Sequence, residues 1–318
     1  MRVAFLLNPT ARSGRAARLV PALQAAIRRT GLDGAVHLTE RPRHAEALAR
    51  ALAADARAVV AVGGDGTVSE VAAGLAGGAT PLGIVPFGTG NDLAATLGVP
   101  RRTEAAVDAL ARALRRRTPP RAIDVLRVRW TDGDGAPGER VVANAVGVGF
   151  DAAAAAGAPR YKRLGGRTAY LASVAATLGD WARPDRAARV WADGALVHDG
   201  PLFLCEVGNG PRVGGGFVLA PGADLGDGAA DLCLVRHVTT SRALRLLPLA
   251  LRGTHVRAPE VATARASAVR VEATGRPLPV HGDGEPLSAG IAALEVAVWP
   301  RALRVVGVPP AGPGTGQT

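Results

Sequence analysis

Apolar runs of strand length alternate with segments of helical spacing along the first part of the chain. Four runs predict strands: Arg2–Leu7, Ala35–Leu38, Ala58–Val62 and Pro81–Pro86. Three segments between or after them predict helices: Gly14–Arg29, Arg43–Ala54 and Val68–Leu75. This alternation predicts a doubly wound α/β domain with a parallel sheet, which we assign to residues 1–122. In such sheets, ligands bind beyond the carboxyl ends of the strands.

Polar loops follow three of the predicted strands, at residues 8–14, 63–67 and 87–92, and the last two are rich in glycine. Glycines in such loops let backbone N–H groups approach phosphate oxygens, and a helix N-terminus favours an anion. Asp65 would repel phosphate, so its presence indicates a bridging cation or a role in proton transfer. Each loop alone also fits an ordinary turn, with Asp65 or Thr67 capping the next helix. Three loops at one sheet edge together predict a phosphate-binding site.

The pattern changes near Pro119-Pro120, after which strand-like runs are joined by turns. The runs are Asp124–Trp130, Arg140–Ala145, Ala188–Trp191, Ala195–His198 and Ala230–Val235. Helical spacing is largely confined to Gly165–Trp181 and Ser241–Arg252. A mainly antiparallel second domain is predicted. The last residues, rich in glycine and proline, predict a disordered tail at 309–318.

Two clusters of carboxylates lie in the predicted second domain. The run His281-Gly282-Asp283-Gly284-Glu285 could supply a general base and a metal contact, but its spacing alone favours a hairpin with solvated charges. The run Asp224–Asp231 suits a hard cation bound by oxygen atoms, and fits a β-turn equally well. Both alternatives stay open at this point.

The charge of the chain is strongly basic, with a formal net charge of +11. Aromatic residues make up only 3% of the chain, which is too few for base-stacking platforms, so we expect no nucleic-acid partner. An acidic ligand or an anionic membrane surface accounts for the charge equally well. The arginine run Arg101–Arg121 is typical of a solvated helix face and could also rest on anionic lipid.

Several classes of protein are excluded by residues that the chain lacks. The chain has one lysine, Lys162, which Arg163 follows, so it cannot contain the P-loop motif. Two cysteines, Cys205 and Cys233, cannot form a disulfide framework or a four-cysteine zinc site, and they predict buried thiols in a reducing cytosol. We find no signal peptide and no membrane-spanning pattern, and we therefore expect a cytoplasmic protein.

Together, these motifs resemble the diacylglycerol kinase catalytic family, which includes bacterial soluble diacylglycerol kinases, YegS-like proteins and sphingosine kinases. The matching residues are Asn8-Pro9, Gly14, Thr39, Gly63–Thr67 with Glu70-Val71, Gly88–Ala94, Gly147–Asp151, Asp227-Gly228 and Asp283–Glu285. The pair GGDGT and GTGNDLA is highly specific, whereas GGDGT alone would also suit NAD kinases and phosphofructokinases.

The resemblance implies an α/β nucleotide-binding domain and a β-sandwich domain over residues 123–298, with the active site in the cleft between them. The segment 299–308 would return to the first domain. Members transfer the γ-phosphoryl group of ATP to a lipid hydroxyl with Mg²⁺, so the resemblance implies diacylglycerol or a related lipid alcohol as acceptor. Two alternatives remain: an NAD-kinase-like enzyme, or a non-catalytic basic relative that binds lipid or nucleic acid.

The resemblance also implies roles for individual residues. Those expected to bind the nucleotide are Asn8, Pro9, Thr10, Arg12, Gly14, Thr39, Gly63, Gly64, Asp65, Gly66, Thr67, Glu70, Thr89 and Asn91. Glu285 is our choice for the general base, with Asp283 and Asp65 as rivals. Asp227 and the carbonyl groups of Leu225 and Ala229 would bind magnesium, and Asp151 would connect that site to Asp65. The loop before Asp227 is about one residue tighter than is usual in the family, and Ala230 replaces a leucine.

The expected partners follow from the same resemblance and from the charge. We expect a lipid substrate and a peripheral association with an anionic membrane surface. A homodimer stays open.

Overall fold

A computed structural model describes residues 2–9, 19–164, 166–181 and 183–309. The chain divides into two compact units, one of residues 1–124 with 300–318 and one of residues 125–299. The loop residues 10–18 and the predicted tail from residue 310 onward lie outside the described residues.

The first unit is built on a parallel sheet with the order β4-β3-β1-β2. Its strands are β1 (Arg2–Leu7), β2 (Gly34–Leu38), β3 (Ala56–Gly63) and β4 (Leu82–Pro86). Val305, at the end of the last strand of the chain, pairs in parallel with Leu82 and so extends the sheet beyond β4. Nearly every residue of β1, β3 and β4 is buried, because a parallel sheet is covered by helices on both faces.

Five α-helices are formed by the described residues of the first unit. They are α1 (Val20–Thr30), α2 (His44–Leu52), α3 (Asp65–Leu75), α4 (Asp92–Thr96) and α5 (Thr103–Arg115). In α5, the residues Ala106, Val107, Leu110, Ala111 and Leu114 are buried, which is the spacing of one helix face. The predicted α/β architecture is confirmed.

The second unit is an antiparallel β structure. Its strands are β5 (Arg121–Asp132), β6 (Pro137–Val142), β7 (Ala145–Gly149), β8 (Ala187–Ala192), β9 (Ala195–Gly208), β10 (Ala230–Arg236), β11 (Val261–Ala266), β12 (Ala268–Ala273), β13 (Leu278–Gly282) and β14 (Glu285–Val305). The pairings β13-β7-β9-β8-β12-β14-β13 close on themselves, with β10 and β11 continuing from β9. Apolar side chains from these strands fill the core, and the predicted β-sandwich is confirmed.

Helices cover one side of this second unit and form a second apolar cluster with β9 and β10. They are α6 (Phe150–Gly157), α7 (Gly166–Asp180) and α8 (Thr240–Ala250). The sequence analysis missed α6, because a run of alanines has no apolar periodicity although alanine has the highest helix propensity. Among the described residues, the helices are too short or too polar to cross a membrane.

Candidate active site

The glycine-rich loops after β3 and β4 touch through their backbones. A Cβ atom built on Gly88 would lie 2.3 Å from the Cα of Gly64, and one built on Gly64 would lie 3.1 Å from the Cα of Gly88. The N–H of Phe87 also donates to the carbonyl of Gly63 at 2.7 Å. A side chain at either glycine would therefore force the loops apart.

Asp65 joins the same two loops by hydrogen bonds. Its Oδ2 accepts the backbone N–H of Asn91, and its Oδ1 accepts that of Asp92, both at 2.7 Å. Asn91 has a φ of 57°, and its side-chain Oδ1 accepts the N–H of Gly88 at 2.8 Å. Asp65 thus fixes the loop that begins α4, in addition to any part it takes in catalysis.

Other predicted nucleotide-binding residues lie at or next to the carboxyl edge of the parallel sheet. Asn8 directly follows β1, and its N–H donates to the carbonyl of Val62 at 3.4 Å. Thr39 follows β2, is buried, and donates its N–H to the carbonyl of Leu7 at 2.9 Å. The predicted contacts Thr10, Arg12 and Gly14 lie outside the described residues.

Glu70 holds the start of α2 in place. Its Oε1 accepts the N–H of Arg43 at 2.9 Å, and its Oε2 accepts the N–H of Ala45 at 3.0 Å. These bonds satisfy N–H groups that have no partner within the helix. Glu70 therefore joins α3 to α2, and its contact with the nucleotide stays a prediction.

Asp283 and Gly284 form the two-residue turn between β13 and β14. Their φ values of 52° and 83° are those of a type I′ turn, for which Asp-Gly is a favoured pair. The Asp283 carboxylate accepts three backbone N–H groups, those of Ala143, Asn144 and Ala145, at 2.8–3.0 Å. Asp283 thus anchors the turn to the start of β7.

Glu285 differs from Asp283 in its environment, because its side chain is exposed at the end of the turn. His281 also binds this turn, because its Nδ1 accepts the N–H of Gly284 at 3.2 Å. The Nε2 of His281 then donates to Oδ2 of Asp151 at 3.0 Å. A Cβ atom on Gly147 would lie 1.8 Å from that oxygen. Any larger residue at position 147 would therefore displace the hydrogen-bonded pair of Asp151 and His281.

Asp151, His281 and Glu206 form a buried cluster whose nitrogen and oxygen atoms lie within 4.8 Å of one another. Burial by itself raises the pKa of Asp151, but the hydrogen bond from His281 brings it below the ordinary value. The sequence analysis identified Asp151 and His281 but missed Glu206, because Glu206 lies inside the apolar strand β9. A cation bound by Nε2 of His281 would have to break the bond between Asp151 and His281.

The predicted magnesium loop presents a carboxylate that is already engaged. Oδ1 of Asp227 accepts the N–H of Ala229 at 3.1 Å, and Oδ2 pairs with the guanidinium of Arg265. Oδ2 of Asp231 lies 3.6 Å from the same guanidinium. A hard cation at Asp227 would have to displace Arg265, so these residues do not fit the ion as they stand. The magnesium assignment stays a prediction.

An apolar cavity lies inside the second unit, with about 630 Å³ of free space that includes open solvent. Most of its lining is aliphatic or aromatic: Phe150, Tyr170, Val174, Leu178, Phe203, Leu204, Val213, Phe217, Leu219, Val235, Ala243, Leu246, Leu247 and Ala250. Asp151 and His255 complete the lining. Asp151 is also the partner of His281, so the cavity lies next to the histidine that holds the Asp283–Glu285 turn.

Comparison with known proteins identifies the family. Residues 2–127 match the model of the diacylglycerol kinase catalytic domain, and residues 144–307 match that of the YegS C-terminal NAD kinase β-sandwich-like domain. A diacylglycerol kinase of Mycobacterium tuberculosis is 33% identical over 303 residues, which cover 93% of this chain and 94% of that protein. The chain belongs to the diacylglycerol kinase catalytic family. A Chromohalobacter salexigens protein named "Probable lipid kinase YegS-like" is 37% identical over 244 residues, which cover 74% of this chain and 73% of that protein.

Solved structures agree with this membership at the level of the fold. A diacylglycerol kinase from Bacillus anthracis str. Sterne has a TM-score of 0.70 at 22% identity, and 97% of each chain is covered. An NAD kinase from Archaeoglobus fulgidus, solved in complex with ATP, has a TM-score of 0.53 at 13% identity. The predicted family and fold class are both confirmed.

Proposed function

We propose that this family member transfers the γ-phosphoryl group of ATP, as its magnesium complex, to the hydroxyl group of diacylglycerol or a related lipid alcohol. The observation that carries the proposal is the pair of hydrogen bonds by which His281 joins Asp151, in the lining of the apolar cavity, to the Asp283–Glu285 turn. A lipid alcohol needs both an apolar site for its chain and a base near its hydroxyl group.

The first unit would supply the nucleotide site. Its glycine-rich loops lie where β3 and β4 end, and α3 starts directly after the first of them, so the first N–H groups of α3 lie at this edge of the sheet. Such groups bind phosphate oxygens, and positioning the phosphates is most of what a kinase must do. Magnesium bound to ATP would neutralise charge on the phosphates as part of the substrate.

Glu285 would act as the general base. Its side chain is exposed, whereas three backbone N–H groups occupy the carboxylate of Asp283. A base must be able to reach the proton that it removes. We therefore assign proton transfer to Glu285 and the placement of the turn to Asp283 and His281.

The test is a kinase assay with γ-labelled ATP and a panel of acceptors. Diacylglycerol, monoacylglycerol, a sphingoid base and phosphatidylglycerol are offered separately, and NAD is offered in a further reaction. We expect labelled phosphate in one or more lipid products and none in NAD. Label in NAD alone would replace the proposal by an NAD-kinase activity, and no transfer to any acceptor would contradict both activities.

A variant of the cavity checks that the lipid binds there. Ala243 lines the cavity, and Ala243→Phe would fill part of it with a larger apolar side chain. We expect KM for a long-chain diacylglycerol to rise several-fold while KM for ATP does not change. An unchanged KM for the lipid in a folded variant would place the acceptor elsewhere.

A further inference from the structure

Helix α8 has apolar residues on both of its sides. One side lines the cavity through Ala243, Leu246, Leu247 and Ala250. The opposite side continues into the turn that follows the helix. This surface, which we call the outer face of α8, consists of Leu244, Arg245 and Pro248 of the helix with Leu251 and Arg252 of the turn, and all five are exposed. Leu244 is 53% exposed and Leu251 is 36% exposed. Exposed apolar side chains that share one helix face and are rimmed by polar residues are typical of a surface that contacts a protein or a membrane.

The chain around α8 carries only positive charge. From Leu232 to Pro259 there is no aspartate or glutamate, while five arginines occur, at positions 236, 242, 245, 252 and 257. Arg242 is paired with Glu260, to whose Oε1 its Nε donates at 2.7 Å. Arg245 and Arg252 form no ion pair with any of the described residues.

The neighbouring helix α7 extends the apolar character of this surface. Helices α7 and α8 contact each other, and both contribute to the cavity wall. Tyr170 of α7 lines the cavity, and the adjacent Leu171 is 41% exposed. The two helices that enclose the cavity therefore both present leucine to solvent.

We propose that the outer face of α8 docks on an anionic lipid bilayer. Leucines of an amphipathic helix insert at the boundary between headgroups and acyl chains, and flanking arginines bind anionic headgroups. A bilayer satisfies both at once. Since the opposite side of α8 lines the cavity, the cavity would then lie one helix away from the membrane surface.

A second copy of this chain is a poorer partner for the same face. In a twofold dimer, a surface patch meets itself, so Arg245 and Arg252 would face their own copies. No carboxylate lies between residues 232 and 259 to compensate those charges. The charge on the outer face therefore favours an anionic surface.

This inference deepens the proposed function and rests on it in one respect, namely that the cavity takes a lipid. Docking itself is measured without ATP or turnover, so its failure is separate from a failure of the kinase proposal. The measurement is co-sedimentation with vesicles of phosphatidylcholine alone and of phosphatidylcholine with phosphatidylglycerol. We expect binding to the anionic vesicles that weakens as salt is added.

Two double variants test the outer face. Leu244→Gln with Leu251→Gln should lower the partition coefficient at least about 10-fold, since two inserting side chains are lost. Arg245→Ala with Arg252→Ala should lower it by about 5-fold for each arginine, and should reduce the dependence on salt. Both variants should have the same unfolding temperature as the unmodified protein. They should also phosphorylate a dispersed short-chain diacylglycerol at the same rate as the unmodified protein.

Matched control variants remove similar side chains elsewhere. Leu196 and Val197 are 53% and 37% exposed, so Leu196→Gln with Val197→Gln removes a comparable apolar surface on β9. Arg116→Ala with Arg117→Ala removes two exposed arginines from the Arg101–Arg121 run. We expect both controls to bind vesicles within about two-fold of the unmodified protein.

Three results would overturn the inference. The first is equal loss of vesicle binding in a control variant, which would place docking elsewhere or make it a matter of net charge. The second is unchanged binding of the leucine variant accompanied by conversion of a dimer to a monomer in light scattering, which would make the face an interface between copies. The third is a loss of rate on the dispersed substrate equal to the loss of vesicle binding, which would place the face in the active site.

Discussion

Nε2 of His281 donates a hydrogen bond to Oδ2 of Asp151 at 3.0 Å, and both side chains are 6% exposed. The two residues are 130 positions apart in the sequence. Through this bond, the helix that begins at Phe150 is joined to the turn that carries Glu285. The bond therefore connects the lining of the cavity to the proposed base.

The free energy of unfolding should fall at acid pH, partly because Asp151 becomes protonated. Its pKa in the folded protein lies below the ordinary value of 3.8, so the folded state keeps Asp151 ionised where the unfolded chain takes up a proton. This contribution to the free energy of unfolding is complete above pH 3.8 and is lost as pH falls through the lower, folded pKa. Asp151→Asn should be less stable at neutral pH and should lose less stability on acidification.

The measurement is urea unfolding at several pH values. Asp199→Asn serves as the control, because Asp199 is half exposed in a surface ion pair, and such pairs contribute little. An Asp151→Asn profile parallel to that of the unmodified protein between neutral pH and pH 3 would contradict the assignment.

Substitutions at Asp283 and at Glu285 should differ in their effect on the free energy of unfolding. Asp283→Asn replaces an acceptor oxygen by an NH₂ group beside three backbone N–H donors, so it should lower the free energy of unfolding by about 1–3 kcal/mol. Glu285→Gln, on an exposed side chain, should lower it by less than about 0.5 kcal/mol. Denaturant titration of both variants checks this, and equal losses would remove the distinction between the two roles.

The contact between the glycine-rich loops should be intolerant of a methyl group. Gly88→Ala places its Cβ 2.3 Å from the Cα of Gly64, so the loops must separate, and we expect ATP affinity to fall more than 10-fold. In Gly179→Ala, within α7, no atom lies within 4 Å of the new Cβ, and helix propensity should raise stability by about 0.5–1 kcal/mol. Calorimetric titration with ATP measures the first effect, and normal affinity in Gly88→Ala would exclude these loops from the nucleotide site.

Arg265 should compete with any cation at Asp227. In the unmodified protein we expect magnesium and EDTA to give the same unfolding temperature in the absence of nucleotide, because the arginine already pairs with this carboxylate. Arg265→Ala should make the unfolding temperature rise with magnesium concentration. A rise of similar size in the unmodified protein would show that the ion displaces Arg265 without assistance.

The sequence predicted the elements whose signal is local. The apolar runs at β1, β3 and β4 predicted buried strands, and the glycines after them predicted the loops at one edge of the sheet. The Asp283-Gly284 pair predicted a hairpin turn, which the structure has. In each case, the residues that determine the conformation lie within a few positions of one another.

The remaining features depend on contacts between distant residues. Glu206 lies within the apolar run of β9, and its proximity to Asp151 and His281 follows from the pairing of β7 with β9 and β13. The pairing of Arg265 with Asp227 joins β11 to a loop 38 positions away. The sequence does not show which apolar residues of α8 line the cavity and which face solvent, because an apolar position on a helix does not by itself indicate which side is covered.

The proposed function makes Glu285 the base in the phosphorylation of a lipid alcohol. Its most direct test is kcat for transfer of labelled phosphate from ATP to dispersed diacylglycerol, compared between the unmodified protein and Glu285→Gln. We expect transfer by the unmodified protein and a kcat lower by about 10²–10⁴-fold in Glu285→Gln, with the fold of the variant retained. Near-normal kcat in Glu285→Gln would contradict it.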